Sequence, residues 1–216
     1  WTSRSSELYE KKFLLLGSPL FHYSALLAIL GHFAGLVIPE SWTAAVGISE
    51  GVYSVFAKVA GTFSVVLIIL GLGVLTVRRW GTSRVRGVTS RVDGFAFAVL
   101  WAMILLGFGE TVVYNTLGPG YNYRPTVSIW LRGIFGFNSD VASIAHVPVV
   151  YQVHAVLGWL FLALFPFTRF VHFWSAPVWY LTRPFVVYWR RRPGSILSPG
   201  ELKGWRTIGG QGKRDW

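Results

Sequence analysis

Four histidines lie in two long apolar stretches, and an imidazole in such a setting binds either a metal or another polar group. His22 and His32 are ten residues apart in LFHYSALLAILGHFAGLVIP; His154 and His172 are eighteen apart in HAVLGWLFLALFPFTRFVHFW. At about 100° per residue, eighteen steps of an unbroken helix return to the same face, whereas ten steps turn His32 about 80° from His22. Ionisable groups are costly in lipid and are usually functional there. A single intramembrane histidine is most simply a polar contact between helices. Four of them on two helices, with no metal-binding carboxylates beside them, point to two flat cofactors, b-type haems, each gripped by one imidazole from either helix. Two imidazoles fill both axial positions of an iron, so such a centre passes electrons and performs no bond chemistry.

The composition asks for a bilayer. Of 216 residues, 53% are hydrophobic and only 13% charged, with eleven tryptophans and a mean hydropathy of +0.49. A soluble domain carries about 25% charged residues. The absence of cysteine excludes disulfides, iron–sulfur ligation by this chain and a covalently attached c-type haem. The chain opens on Trp1 with no signal peptide, and the expectation is a portion of a longer polypeptide.

Four apolar runs are expected to be membrane-spanning helices, in an all-α polytopic bundle. Helix A covers about 19–38, with Ser18 as N-cap and Pro19 in the first turn. Helix B covers about 52–77 and helix C about 92–117, ending at Gly118–Gly120. Helix D covers about 148–175, kinked by Pro166. Residues 121–147, including Trp130, read as a loop along the membrane interface. The division is a transmembrane domain over 1–182 and a basic tail over 183–216. Basic residues cluster before A (Arg4, Lys11, Lys12), between B and C (Arg78, Arg79, Arg84, Arg86, Arg91) and from Arg183 to Arg214. The positive-inside rule then puts both visible termini in the cytoplasm of a plasma-membrane protein. Helices A and D run antiparallel in this topology, which pairs His22 with His172 at an inner site and His32 with His154 at an outer one. The spacings along A and D, about 15 Å and about 27 Å, differ; tilt of D and the kink at Pro166 are the means to absorb the difference.

Other residues could serve such centres. Glu110, in GFGETVVY, is expected level with the outer pair, where a partly buried carboxylate could accept protons; a headgroup-level acid is the plainer reading. Lys58 could hydrogen-bond a quinone oxygen or snorkel to the surface. Gly31 and Gly35 flank His32 and could admit a porphyrin face or simply allow close helix packing. Arg169, one turn before His172, could pair with a haem propionate, as could Arg78 and Arg79, more simply positive-inside anchors. His146 reads as a surface residue.

These stretches resemble the gamma subunit of respiratory nitrate reductase, a dihaem cytochrome b. LFHYSALLAILGHFAGLVIP is similar to that family's first haem helix and HAVLGWLFLALFPFTRFVHFWSAPVWYLTR to its last, with both histidine spacings and the Phe-Pro-Phe and Tyr-Leu-Thr-Arg landmarks matching; the likeness covers most of residues 1–190. The resemblance implies two b haems, held by His22/His172 nearer the cytoplasm and by His32/His154 nearer the outside. It implies quinol oxidation near the outer haem, at a site for which Glu110, Lys58 and Gly31 are candidates. Electrons would pass to an iron–sulfur beta subunit and then to a molybdenum alpha subunit that reduces nitrate, so nitrate would not be reduced on this chain. Two departures stand out: the family has five spans where four are visible, as in a trimmed or fused chain, and a family lysine near the start of helix B falls near Val52 and Tyr53. The alternatives are a dihaem subunit for another reductase, of the sulfite or heterodisulfide type, or a haem-free transporter or scaffold.

Overall fold

Backbone amides in lipid have no water to bond, so apolar runs of this length satisfy them by closing into helices. The computed structural model describes residues 10–138 and 140–173, all in the first of two units of the chain, residues 1–175. The expected domain boundary at 182/183 and the basic tail lie outside the described residues. Helix α1, Lys12–His32, runs on into a π-helical segment, Phe33–Val37. A short α2, Glu40–Ala45, leads to α3, Glu50–Gly81. Next come α4, Ser83–Gly87, and α5, Arg91–Phe108, which continues as a π-helix over Gly109–Leu117. Two further helices, α6 (Val127–Phe135) and α7 (Ala142–Ala145), precede α8, Val149–Leu164. Two 3-10 segments follow, Phe165–Phe167 and Arg169–Phe173. Among the described residues there is no strand, and four helical stretches are long and apolar enough to cross a membrane: Lys12–Val37, Glu50–Gly81, Arg91–Leu117 and Val149–Phe167.

Three expectations need correcting. The first helix begins at Lys12, and Pro19 lies inside it. Its first turn is served not by Ser18 but by Glu10, whose carboxylate accepts from the Phe13 N–H at 2.9 Å; the apolar run Phe13–Leu16 simply extends the helix outward. The last helix is not continuous to residue 175. With no N–H on Pro166 the ladder fails, α8 ends at Leu164, and Thr168 is extended at φ −125° and ψ 172° between the two 3-10 segments. His172 therefore belongs to a separate segment, and the eighteen-step argument for a shared helix face does not apply. The third concerns residues 121–147, which are not merely a loop: Trp130 sits on α6.

Packing runs in series: α1 lies on α3, α3 on α5, and α5 on α8. Small residues set the first contact. A Cβ on Gly71 would stand 2.6 Å from the Phe21 backbone nitrogen, and one on Gly17 2.9 Å from Val74 Cγ1. Where these backbones close, the Ser64 hydroxyl donates to the Ser24 carbonyl at 2.8 Å. Trp101 Nε1–H donates to Thr76 Oγ1 at 3.0 Å, tying α5 to α3. Val65, Ile68 and Leu72 from α3 interlock with Phe97, Leu100 and Ile104 from α5, flanked by Phe21 of α1 and Phe161 of α8.

Both ends of the series are fastened by arginine. At the end carrying Arg78, Arg79 and Arg91, called the basic end below, buried Arg78 pairs with Glu10 at 3.0 Å. At the far end, Arg124 is 2% exposed. Its guanidinium reaches Glu50 at 2.7 Å and Thr43 Oγ1 at 3.1 Å, and lies 4.0 Å from the centre of the Tyr53 ring. The Tyr53 and Tyr123 hydroxyls are 3.2 Å apart, both against Gly35. Burial, and then the Tyr53 hydroxyl, push the Tyr123 phenol above its ordinary pKa, so it stays a neutral donor.

Two stability predictions follow from this packing. Gly71→Ala is expected to lower stability in detergent by about 1–3 kcal/mol through overpacking, whereas Gly73→Ala, whose Cβ would meet nothing within 4 Å, should be neutral or slightly stabilising; thermal unfolding of both checks the difference. Arg124→Met should cost about 2 kcal/mol by stranding a partly buried Glu50 carboxylate, and the double variant with Glu50→Gln should recover part of that loss.

Candidate functional site

The two ends of the packing series, α1 and α8, are not among the closely packed helix pairs, and histidines face one another between them. His22 Nε2 lies 3.4 Å from His172 Nε2, with ring centres 5.7 Å apart and planes at 68°. His32 and His154 have ring centres 6.1 Å apart and planes within 17° of parallel. The pairs combine as the antiparallel topology requires. His22, His32 and His172 are exposed and His154 is half-buried; the exposed imidazoles of His22 and His32 lie on an apolar span, where they are a costly surface to leave to lipid.

Hydrogen bonding fixes what three of these rings can do. His22 Nδ1 donates to the Ser18 carbonyl at 2.7 Å, His32 Nδ1 to the Ala28 carbonyl at 2.8 Å, and His172 Nδ1 to the Arg169 carbonyl at 2.5 Å. A backbone carbonyl only accepts, so each Nδ1 carries the hydrogen and each neutral ring keeps its Nε2 lone pair. In the first pair the two Nε2 atoms then stand within hydrogen-bond distance, an arrangement that needs a proton or a metal ion between them. An imidazole nitrogen stands about 2 Å from a bound transition metal, so two nitrogens on opposite sides of one ion are about 4 Å apart; adding ring radii of about 1 Å gives about 6 Å between ring centres. The observed separation of 3.4 Å is a little short of the first figure, and 5.7 and 6.1 Å agree with the second. Among the described residues no three His, Cys, Asp or Glu gather as a metal cage. A metal held by either pair must bring its other ligands with it, as a macrocycle does.

His154 is the exception. Its Nδ1 has no hydrogen-bond partner among the described residues and lies 3.6 Å from Glu110 Oε1, itself buried and unpartnered. Gly107 makes room for it: a Cβ there would be 3.1 Å from His154 Cε1. Both π-helical segments border this pair, one starting just after His32 and the other just before Glu110, in keeping with the tendency of π-bulges to mark functional sites.

The remaining candidates divide. Gly31 meets nothing that its Cβ would touch, whereas Gly35 is a packing glycine against Tyr53 and Tyr123. Lys58 is half-buried on α3. Arg169 pairs with Asp93 at 3.3 Å and donates to the Val88 carbonyl, so its charge is engaged by the start of α5. Arg78 is held by Glu10, and Arg79 lies over the Phe97 ring. His146 is exposed at the end of α7. The sequence reading missed the carbonyls that orient the rings, the role of Gly107 and the Arg124 cluster. The carbonyls at Ser18 and Ala28 were within reach of it, because in a helix the acceptor for a histidine Nδ1 lies four residues back.

Comparison with known proteins shows the family. The sequence model of the nitrate reductase gamma subunit family matches residues 1–191. The chain is 42% identical over 206 residues to a nitrate reductase-like protein, NarX, of Mycobacterium tuberculosis, covering 95% of this chain and 31% of that protein. It is 41% identical over 191 residues to the nitrate reductase gamma chain of Bacillus subtilis (88% of this chain, 85% of that one) and 31% identical over 193 residues to the respiratory nitrate reductase 2 gamma chain of Escherichia coli (89% and 84%). The chain thus spans about a third of the NarX protein and most of each gamma chain. With a family match over nearly the whole described region, the chain belongs to the nitrate reductase gamma subunit family.

Proposed function

We propose that this chain is the membrane subunit of a respiratory nitrate reductase, that it holds two b haems, and that it oxidises quinol at the far end and delivers electrons at the basic end. The observation that carries the reading is the meeting of two imidazole pairs, His22 with His172 from the 3-10 segment after α8 and His32 with His154 of α8. The donor set suits the group: two imidazoles per centre, three of the four rings oriented by a backbone carbonyl. Bound there, each haem would supply one-electron transfer.

The chain's own residues supply the rest. His22 and His172 would ligate the centre at the basic end, His32 and His154 the centre at the far end. Of the three candidates for the quinol site, Lys58 offers a donor from α3 and Gly31 open backbone beside His32, while Glu110 is turned to His154. The clustering of basic residues supports a cytoplasmic basic end in the cell membrane. There an iron–sulfur beta subunit would accept the electrons and pass them to a molybdenum alpha subunit, where nitrate is reduced; nitrate does not meet this chain. Names of the gamma-chain relatives support the complex.

A reduced-minus-oxidised spectrum with a haem count tests the reading: two b haems per chain are expected, and none would refute it. Single alanine variants should fall into two classes, His22→Ala and His172→Ala losing one haem and His32→Ala and His154→Ala the other. Lys58→Met should slow quinol-driven haem reduction about tenfold, the worth of one hydrogen bond from a charged donor, without changing the dithionite-reduced spectrum; an unchanged rate removes Lys58 from the quinol site.

A further inference from the structure

We propose that Glu110 is the hydrogen-bond partner of His154 and, through that ring, a positioning residue that lowers the reduction potential of the far-end centre. The proposal rests on the reading of the histidine pairs as haem ligands. Three of the four rings give their Nδ1 hydrogen to a backbone carbonyl. The fourth faces a carboxylate.

Geometry isolates the two groups with each other. Glu110 Oε1 and His154 Nδ1 are both buried and without a partner among the described residues, and they stand 3.6 Å apart. That separation exceeds the 2.7–3.2 Å of a formed N–H···O bond, but among the described residues no other group bonds to either atom. α5 is shaped for the approach. Gly107 presents bare backbone at the edge of the ring, a Cβ there lying 3.1 Å from Cε1. From Gly109 the helix widens to π geometry, in the turn that carries Glu110.

A carboxylate accepting the Nδ1 hydrogen makes the imidazole more basic than a carbonyl does. A more basic axial ligand favours the ferric over the ferrous ion and lowers the reduction potential of the iron it holds. Glu110 is placed to act in this way on the far-end centre.

The test is Glu110→Gln in the full chain within its membrane complex, read by haem count, redox titration of both haems and the low-spin ferric resonance signals. Glutamine keeps the volume and an acceptor oxygen but removes the carboxylate. The expected result is two haems, with the potential and resonance signal of one moved, the potential upward, and those of the other unchanged. Two haems at unshifted potentials, or a downward shift, would overturn the proposal. So would loss of a haem, which would make Glu110 part of the scaffold. If the glutamine variant does not accumulate, Glu110→Asp, whose carboxylate withdraws by one methylene, must give the same upward shift. A wild-type protein without haem would fail at the earlier step, the assignment of the histidines themselves.

Discussion

A histidine can turn either nitrogen toward a partner, and the whole arrangement between α1 and α8 depends on removing that freedom. Backbone carbonyls at Ser18, Ala28 and Arg169 do so for three rings by accepting the Nδ1 hydrogen. What remains is a lone pair on Nε2, directed across the gap. Such a bond is worth only about 1 kcal/mol net in stability, but its effect on orientation is larger than its energy, because two lone pairs cannot face each other at 3.4 Å without something electron-deficient between them. The proposed haems answer that requirement, as does a hydrogen shared between the two Nε2 atoms of the first pair.

Holding α1 and α8 at the right distance is the task of the two helices between them. A glycine at 71 lets α3 meet α1 backbone to backbone, and Trp101 on α5 bonds to Thr76 on α3. The ends of the series are closed by charge: Arg78 with Glu10 at one, Arg124 with Glu50 at the other. Arg124 is the less expected of these. It lies in a connection rather than a span, and it draws together α2, α3 and the segment that leads to α6.

The four spans and the histidine pairing were legible in the sequence because hydrophobic length, basic clusters and four imidazoles are properties of composition and spacing. Helix ends were less so. Pro19 carries the signature of a helix start, yet apolar residues 13–16 extend the helix past it and Glu10 serves the first turn. Pro166 was expected to kink a helix that in fact stops, which moves His172 to another segment. Gly31 and Gly35 look alike in the sequence and differ entirely in space, one beside an opening and the other beneath two tyrosines. The Arg124 cluster joins residues more than seventy positions apart, and no local pattern announces a contact of that range. Glu110 was placed at the correct depth, but its direction, toward His154, depends on a π-helical turn that composition does not encode.

The extended backbone at Thr168 divides the ligand set unequally. Three histidines ride on helices braced along their length, whereas His172 rides on a 3-10 turn fastened to the start of α5 by Arg169 and Asp93. That fastening is electrostatic, and it reuses the aspartate of the Ser90–Asp93 capping box. The basic-end centre therefore joins one ligand on a braced helix to one on a separate turn, so its spacing is set by a side-chain clamp as well as by helix packing.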